Sequence, residues 1–346
     1  MTLRTRDNED LVGAHLAYHL SAGVDFVVAT DHLSVDGTRD ILREHERAGH
    51  LRLIYKDEEQ HVPGEWVNDM ARLAATEHAA DWIIHSDIDE FWWPRGGNLK
   101  DVVRVVPERF GALFGVWRHF AARPENDSYF AERMTLRLAA RGPWTSPEHP
   151  FHPNVNVAHR ADPNVRVRIG NHDLDSGPHF LRGWFPFEVL HFPLRTLAQT
   201  RAKFEKWGRT TGIDHGPHVD EAAASLRAGS FDEHYGRYVV QDDAVAAGLH
   251  AGEFRVDVRL RDALRRLSGN PSGPIPENHR FALVTPGSEP LSFPRLDLAD
   301  EVALADDVAV LPNPGGRVQD RVERLECRIE MHERRAGWWR RGVATS

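Results

Sequence analysis

Over the first 95 residues, short apolar runs alternate with amphipathic stretches. Residues 1–6 read as a strand that starts abruptly at Met1. Asp7 or Asn8 can cap a helix running to Ala22, with Leu11, Leu16 and Leu20 on one face and Gly23 as its stop. The β-branched run 24–30 predicts a buried strand. Residues 38–48 form an amphipathic pattern stopped by Gly49, and 51–55 read as a third strand. Pro63 stands near the first turn of a helix reaching about Ala80, and 82–85 make a fourth strand. This βαβαβαβ rhythm predicts a mostly parallel twisted sheet with helices on both faces. Ligands bind such sheets at the carboxyl ends of the strands.

The rhythm changes from about Gly111. Residues 113–120 read as a strand, and the Pro-, His- and Asn-rich stretch 141–175 as irregular loops with short strands such as 165–169. Residues 197–208 are helical and basic, and Pro- and Gly-rich text at 269–276 and 312–316 marks loops or linkers. In the tail, Val318, Val322, Leu325 and Ile329 follow at spacings of four, three and four, a seam of under three heptads. It predicts a C-terminal helix over 317–346, ending in Trp338-Trp339-Arg340-Arg341. Homodimerisation, packing on the body and peripheral membrane contact are its open roles.

Composition narrows the function classes. The 346 residues are 41% hydrophobic and 27% charged, as in ordinary globular chains, and hold one large domain with an appendage or two modest ones. A net charge of −9 removes the bulk electrostatic argument for nucleic-acid binding. An anionic substrate then needs a metal or a local basic cluster. The single cysteine, Cys327, forms no internal disulfide framework, which fits a reducing compartment. There is no apolar signal region near Met1 and no run of 18 apolar residues. The expected location is therefore cytoplasmic, at most peripheral to the inner face of the membrane.

The segment Trp82-Ile83-Ile84-His85-Ser86-Asp87-Ile88-Asp89-Glu90-Phe91-Trp92 carries the strongest chemistry. In an extended backbone, aspartates spaced i, i+2 point their carboxylates to one side. Their repulsion calls for a cation, and hard oxygen ligands suit Mg²⁺ or Mn²⁺, which in turn bridge to phosphate. A second constellation, Asp31-x-x-Ser34-x-Asp36-Gly37-Thr38, follows a strand and opens a helix, with Thr38 as expected N-cap. The histidines His149, His152, His159, His172 and His179 invite a zinc reading. However, His149-x-x-His152 does not match H-E-x-x-H, and Pro150 and Pro153 argue against a helix there.

In combination, Arg6-Asp7-Asn8-Glu9, Asp31-x-x-Ser34-x-Asp36-Gly37-Thr38 and Asp87-x-Asp89-Glu90-Phe91 resemble the nucleotide-sugar-binding half of GT-A glycosyltransferases. The order is that of the family 2-like group: R-N-E, D-x-x-S-x-D-G-T and D-x-D-E-F. His191-Phe192-Pro193-Leu194-Arg195-Thr196 with Lys203 downstream is similar to the H-Y-x-x-[KR]-S…K signature of the bacterial family 2-like branch and its relatives in family 92. Asn171-His172-Asp173 sits where these families carry a histidine. The resemblance spans roughly residues 1–208. His32, the intruding Asp7, Phe192 and Thr196 depart from it, without removing a metal-binding or charged group.

The resemblance implies a GT-A fold, with 1–110 as the nucleotide-sugar half, 111–250 as the acceptor-side half, 251–316 as an extension and 317–346 as the C-terminal helix. It implies Mn²⁺ or Mg²⁺ held by Asp89 and His172, with Asp87 on the ribose or on the metal through water, and Asp31 on the nucleoside of a UDP-sugar. Arg6 and His191 join the substrate site, and Arg195 and Lys203 neutralise the leaving diphosphate. The expected reaction is inverting transfer to a glycan or lipid-linked acceptor. Glu148, Asp173 and Glu188 are the candidate bases. Trp117, Trp144 and Trp184 could stack on a sugar or pack the core. Two alternatives stand beside this reading. One is a nucleotidyltransferase or pyrophosphorylase, which would carry a Gly-rich basic loop where Arg6-Asp7-Asn8-Glu9 stands. The other is a non-catalytic glycan-binding or assembly protein with a degenerate site.

Overall fold

The computed structural model describes residues 1–57, 63–139, 143–145, 149–207, 217–288 and 290–293. The expected C-terminal helix and Glu148 lie outside the described residues. Along the chain run β1 (Thr2–Thr5), α1 (Glu9–Ser21), β2 (Val27–His32), α2 (Thr38–Arg47), β3 (Leu51–Lys56), α3 (Pro63–Thr76) and β4 (Trp82–Asp87). These are the seven alternating elements read from the sequence. Then follow β5 (Glu90–Pro94), α4 (Leu99–Arg104), β6 (Ala112–His119), α5 (Phe130–Arg133), β7 (Leu136–Leu138), β8 (Val155–Arg160), β9 (Arg166–Val167), β10 (Leu174–Ser176) and β11 (Phe187–His191). The described chain continues with α6 (Leu197–Trp207), α7 (Pro217–Ala228), α8 (Phe231–Gly236), α9 (Asp242–His250), β12 (Phe254–Val256) and α10 (Arg259–Leu267).

Eight strands form one sheet in the order β3-β2-β1-β4-β8-β6-β11-β5. β3, β2, β1 and β4 are mutually parallel, β6 and β11 share their direction, and β8 and β5 run against it. The fold is thus α/β with a mostly parallel sheet, unbroken across residue 110. The 141–175 stretch, expected to be irregular, supplies the inner strand β8. Its Val155, Val157 and Ala158 pair into the sheet between β4 and β6 despite the polar text around them.

Helices cover both faces. Val67, Met70 and Ala74 of α3 pack with Val28, Ile83, Phe114 and Val157 on one side. Leu11, Leu16 and Tyr18 of α1 pack with Leu3, Phe91 and Trp92 on the other. α1 is buried well beyond the single predicted face, from Leu11 to Ser21. Leu260 and Leu264 of α10, with Phe281 and Phe293, close over its outer side and join the same core. Gly115 on β6 is fixed by this packing. A Cβ there would lie 2.8 Å from both the Trp92 ring and Val189 Cγ2. A further core under α6 to α9 gathers Phe151, Leu194, Phe204, Phe231 and Tyr235. No helix among the described residues is long and apolar enough to cross a membrane.

Candidate active site

The carboxyl ends of β1, β2 and β4 are neighbours, so the loops that leave them meet. The loop after β1 and the loop after β2 are laced together. Asp7 N donates to Ser34 Oγ at 3.0 Å, and Val35 N to Asp7 Oδ1 at 2.8 Å. Asn8 N donates to Thr38 Oγ1 at 2.8 Å, Glu9 N to Asp36 Oδ2 at 3.0 Å, and Gly37 N to Glu9 Oε2 at 2.9 Å. A Cβ on Gly37 would stand 2.5 Å from Glu9 Oε1, so this position admits no side chain without moving Glu9. Thr38, expected as N-cap, is instead the first residue of α2 with Gly37 before it, and its hydroxyl serves Asn8. Among the described residues, four non-glycine residues have positive φ, and three of them, Asp7, Leu33 and Asn171, sit in loops around this site. Such backbone persists where surrounding contacts over-determine it, as the lacing does here.

The two aspartates of the D-x-D are not on one extended strand. Asp87 ends β4, and Ile88 and Asp89 form the two-residue turn into β5. The turn is closed by Glu90, whose Oε2 accepts Asp87 N at 2.9 Å and Asn156 Nδ2 at 2.5 Å. Burial, then Asp87 and Asp89, push the Glu90 carboxyl well above its ordinary value. The aspartates therefore meet different partners. Asp87 Oδ1 accepts from Arg4 Nη2 at 2.8 Å and from Asn171 Nδ2 at 3.5 Å. Asp89 is buried, with Lys203 Nζ 2.9 Å from its Oδ2 and His191 Nε2 3.8 Å from its Oδ1. Burial works to raise the Asp89 carboxyl, but Lys203, His191 and Arg195 outweigh it and hold it below the ordinary carboxylate value.

The segment from His191 to Lys206 supplies the site's cations. β11 pairs with β5 so that His191 lies opposite Glu90, which carries the downstream motif to the D-x-D turn. Arg195 donates to Asp10 Oδ2 at 3.1 Å and Asn8 Oδ1 at 3.2 Å. Further along, on α6, Lys203 reaches Asp89 and, about one turn later, Lys206 reaches Asp7 Oδ2 at 2.7 Å. Arg6, expected against substrate, lies 3.7 Å from its neighbour Asp7, and it is Arg4 that touches Asp87. Arg4 lies within β1, paired in register with Asp87, whereas Arg6 stands past the strand's end, so the RDN-type motif alone could not single out Arg4.

Trp117 on β6 forms the floor beside His191, His172, His119 and His152, whose ring centroids lie 4.4, 4.9, 5.2 and 5.9 Å from its own. Trp117 and Trp184 both pack against the larger hydrophobic core, and Trp144 against the one under α6 to α9. His172 Nδ1 is 2.8 Å from the Val155 carbonyl, which fixes Nδ1–H as donor and leaves Nε2 as the lone-pair nitrogen. Burial lowers the His172 and His191 pKa values, so both rings are neutral at pH 7. No group of three or more His, Cys, Asp or Glu side chains among the described residues is gathered to hold a metal, which also leaves the histidine zinc reading without support. The donors nonetheless suit Mn²⁺ or Mg²⁺ chemically. Asp87 Oδ2 and His172 Nε2 accept no hydrogen bond among the described residues, whereas Asp89 is engaged by Lys203.

Two of the three expected bases separate clearly. Glu188 does not qualify. It is buried in a cage of arginines, with Arg118 Nε at 2.6 Å, Arg259 Nη1 at 2.5 Å and Arg137 Nη1 at 3.4 Å. Burial opposes ionisation there, but the three guanidinium groups hold the carboxyl far below its usual range, so it takes up no proton at neutral pH. Asp173 is part-exposed, two residues from the Asn171 that touches Asp87, and 3.5 Å from Arg168 Nη1.

Residues 7–110 match glycosyltransferase family 92. No curated protein sequence matches the chain. Among solved structures, the chain is similar to S. aureus TarS 1-349 in complex with UDP, at 14% identity over 67% of this chain and 71% of that one, with a TM-score of 0.30. The same fragment with UDP-GlcNAc gives 14% identity over 67% and 72%, with a TM-score of 0.31. The family match falls on the very strands and loops that carry Asp31, Asp87 and Asp89, and with the mostly parallel sheet it supports a GT-A-like glycosyltransferase.

Proposed function

We propose that the chain transfers a sugar from a nucleotide diphosphate donor, a UDP-sugar, to a glycan or lipid-linked acceptor with inversion at the anomeric carbon. The observation that supports this reading is the pairing of Asp31, Asp87 and Asp89 with Arg39, Arg4 and Lys203, and of Asp10 with Arg195, around the loops that leave adjacent strand ends. In it, Asp31 takes the nucleoside, and Lys203 and Arg195 turn from their carboxylates to the diphosphate. Asp87 and His172, with Asp89 once freed from Lys203, are the residues that would hold Mn²⁺ or Mg²⁺. When bound, the ion offsets charge on the leaving diphosphate. Asp173 is the carboxylate assigned to draw the proton from the acceptor hydroxyl. Trp117, beside His191, His172 and His119, offers a flat apolar face to a sugar.

The test is calorimetric titration of UDP with Mn²⁺ into the wild type and Asp89→Asn, with UDP-sugar turnover measured beside it. Binding and turnover should need the metal and fall at least a hundredfold in Asp89→Asn, consistent with loss of a charged metal ligand. Binding or turnover indifferent to EDTA and to Asp89→Asn would overturn the metal–diphosphate reading. Release of pyrophosphate instead of UDP would favour the nucleotidyltransferase.

A further inference from the structure

The β2–β3 register places Asp31 beside Tyr55 at the carboxyl edge of the sheet. Between them lies a side chain that no motif assigns, Arg39 from the first turn of α2. Its Nε donates to Asp31 Oδ2 at 2.8 Å, and its Nη2 donates to the Ser34 carbonyl at 3.1 Å. Its guanidinium lies 4.0 Å from the centroid of the Tyr55 ring. Asp31 is fully buried, and its second oxygen, Oδ1, has no hydrogen-bond partner. A buried acceptor left open costs free energy until a donor arrives. Tyr55 is nearly half exposed, so the stacked pair faces outward.

The guanidinium is a flat group that donates N–H bonds along its edge and stacks on an aromatic face. A nucleobase with a ring N–H does the same. We propose that Arg39 occupies the seat of the donor's nucleobase in the free protein and must swing out for the base to bind. The seat fits a uracil-type base, whose ring N–H faces Asp31 and whose face lies on Tyr55. This rests on the nucleotide reading above and adds the step that sets donor affinity. A protein whose competent state is only fractionally populated binds its ligand more weakly by that fraction. Arg39 therefore holds down the affinity for the donor, the opposite of what a base-contacting arginine would do.

The experiment titrates UDP and GDP, each with Mn²⁺, into the full chain as wild type, Arg39→Met and Tyr55→Ala. Arg39→Met should bind UDP about tenfold more tightly, as expected when a resident side chain is removed. Tyr55→Ala should bind it more weakly, through loss of the stacking face. UDP binding that weakens or stays unchanged in Arg39→Met overturns the proposal while leaving the nucleotide reading intact. If no nucleoside diphosphate binds the wild type or either variant, the nucleotide reading itself fails. A second measurement needs no variant. The Arg39 Nε–H resonance, held by Asp31 in the free protein, should shift when UDP is added, and a resonance that UDP leaves in place overturns the proposal.

Discussion

Replacing Glu188 with Gln tests the physical account of the sheet's far half. The carboxylate is the shared partner of Arg118, Arg137 and Arg259, with contacts between 2.5 and 3.4 Å, and Asp257 compensates only part of that charge through Arg137 at 3.6 Å and Arg259 at 2.7 Å. Three guanidinium groups against two carboxylates become three against one, in a region where Glu188 and Arg118 are buried and Arg259 is partly exposed. Removing one member of a buried ion pair costs ~3–5 kcal/mol, because the remaining charge stays desolvated and unpaired. At roughly 2–4 °C per kcal/mol for a domain of this size, the melting temperature should fall by on the order of 10 °C. Differential scanning calorimetry at neutral pH measures it, with urea unfolding as an independent check. The carboxyl is held below its ordinary value, so its stabilisation is present above the unfolded carboxylate value of about 4.5 and is lost as pH falls beneath it. The Gln variant should accordingly lose less stability than the wild type between pH 5 and pH 3, in absolute terms. A neutral-pH loss below about 1 kcal/mol would refute the argument, since it would mean the cage is screened like a surface pair.

Two other outcomes follow from the same structure. His15 and His119 are buried and neutral, with pKa values lowered from 6.5 to about 3 by desolvation, so unfolding releases groups that bind protons. Their stabilisation is complete above about pH 6.5 and is lost on acidification, amounting to about 2 kcal/mol each at pH 5. Unfolding free energy unchanged between pH 7 and pH 5 would contradict this. Lys203→Met should free Asp89, tightening Mn²⁺ binding by roughly tenfold (about 1.4 kcal/mol, the scale of one charge-assisted bond) while turnover falls. Mn²⁺ electron paramagnetic resonance reads that affinity, and an unchanged value would show that Lys203 does not compete with the ion.

The first half of the fold was legible because each strand is a β-branched or apolar run and each helix is punctuated by Gly, Pro or a polar start. β5 was hidden because Glu90-Phe91-Trp92-Trp93-Pro94 begins with a charge directly after the D-x-D, with no turn residues between. β11 was hidden because Glu188 interrupts an apolar run, and the arginines that explain it stand 51 to 71 residues away. The same remoteness conceals the site's pairings. Asp31, Asp89, His191, Arg195 and Lys203 announce themselves by spacing, and the structure sets His191 and Lys203 against Asp89, Arg195 against Asp10 and Asp31 against Arg39. Asp10, Arg39 and Lys206 carry no motif, and only the packed chain shows that Lys206 meets Asp7 from 199 residues away. The D-x-D reading failed in one respect: an i, i+2 spacing puts side chains on one side only while the backbone stays extended, and here it turns.

The pairs Arg4–Asp87, Arg39–Asp31, Lys203–Asp89, Lys206–Asp7 and Arg195–Asp10 match five cations to five carboxylates around the crevice. Before any ligand arrives, the site is thus an internally compensated salt. A diphosphate with its divalent ion is likewise nearly neutral, so on the proposed reading its entry would be an exchange of counterions, in which Lys203 and Arg195 pass from carboxylates to phosphate and Asp89 is released to the ion. Such an exchange projects little field into solvent. Capture of the donor then depends on contact and fit at close range, because these five cations already face carboxylates.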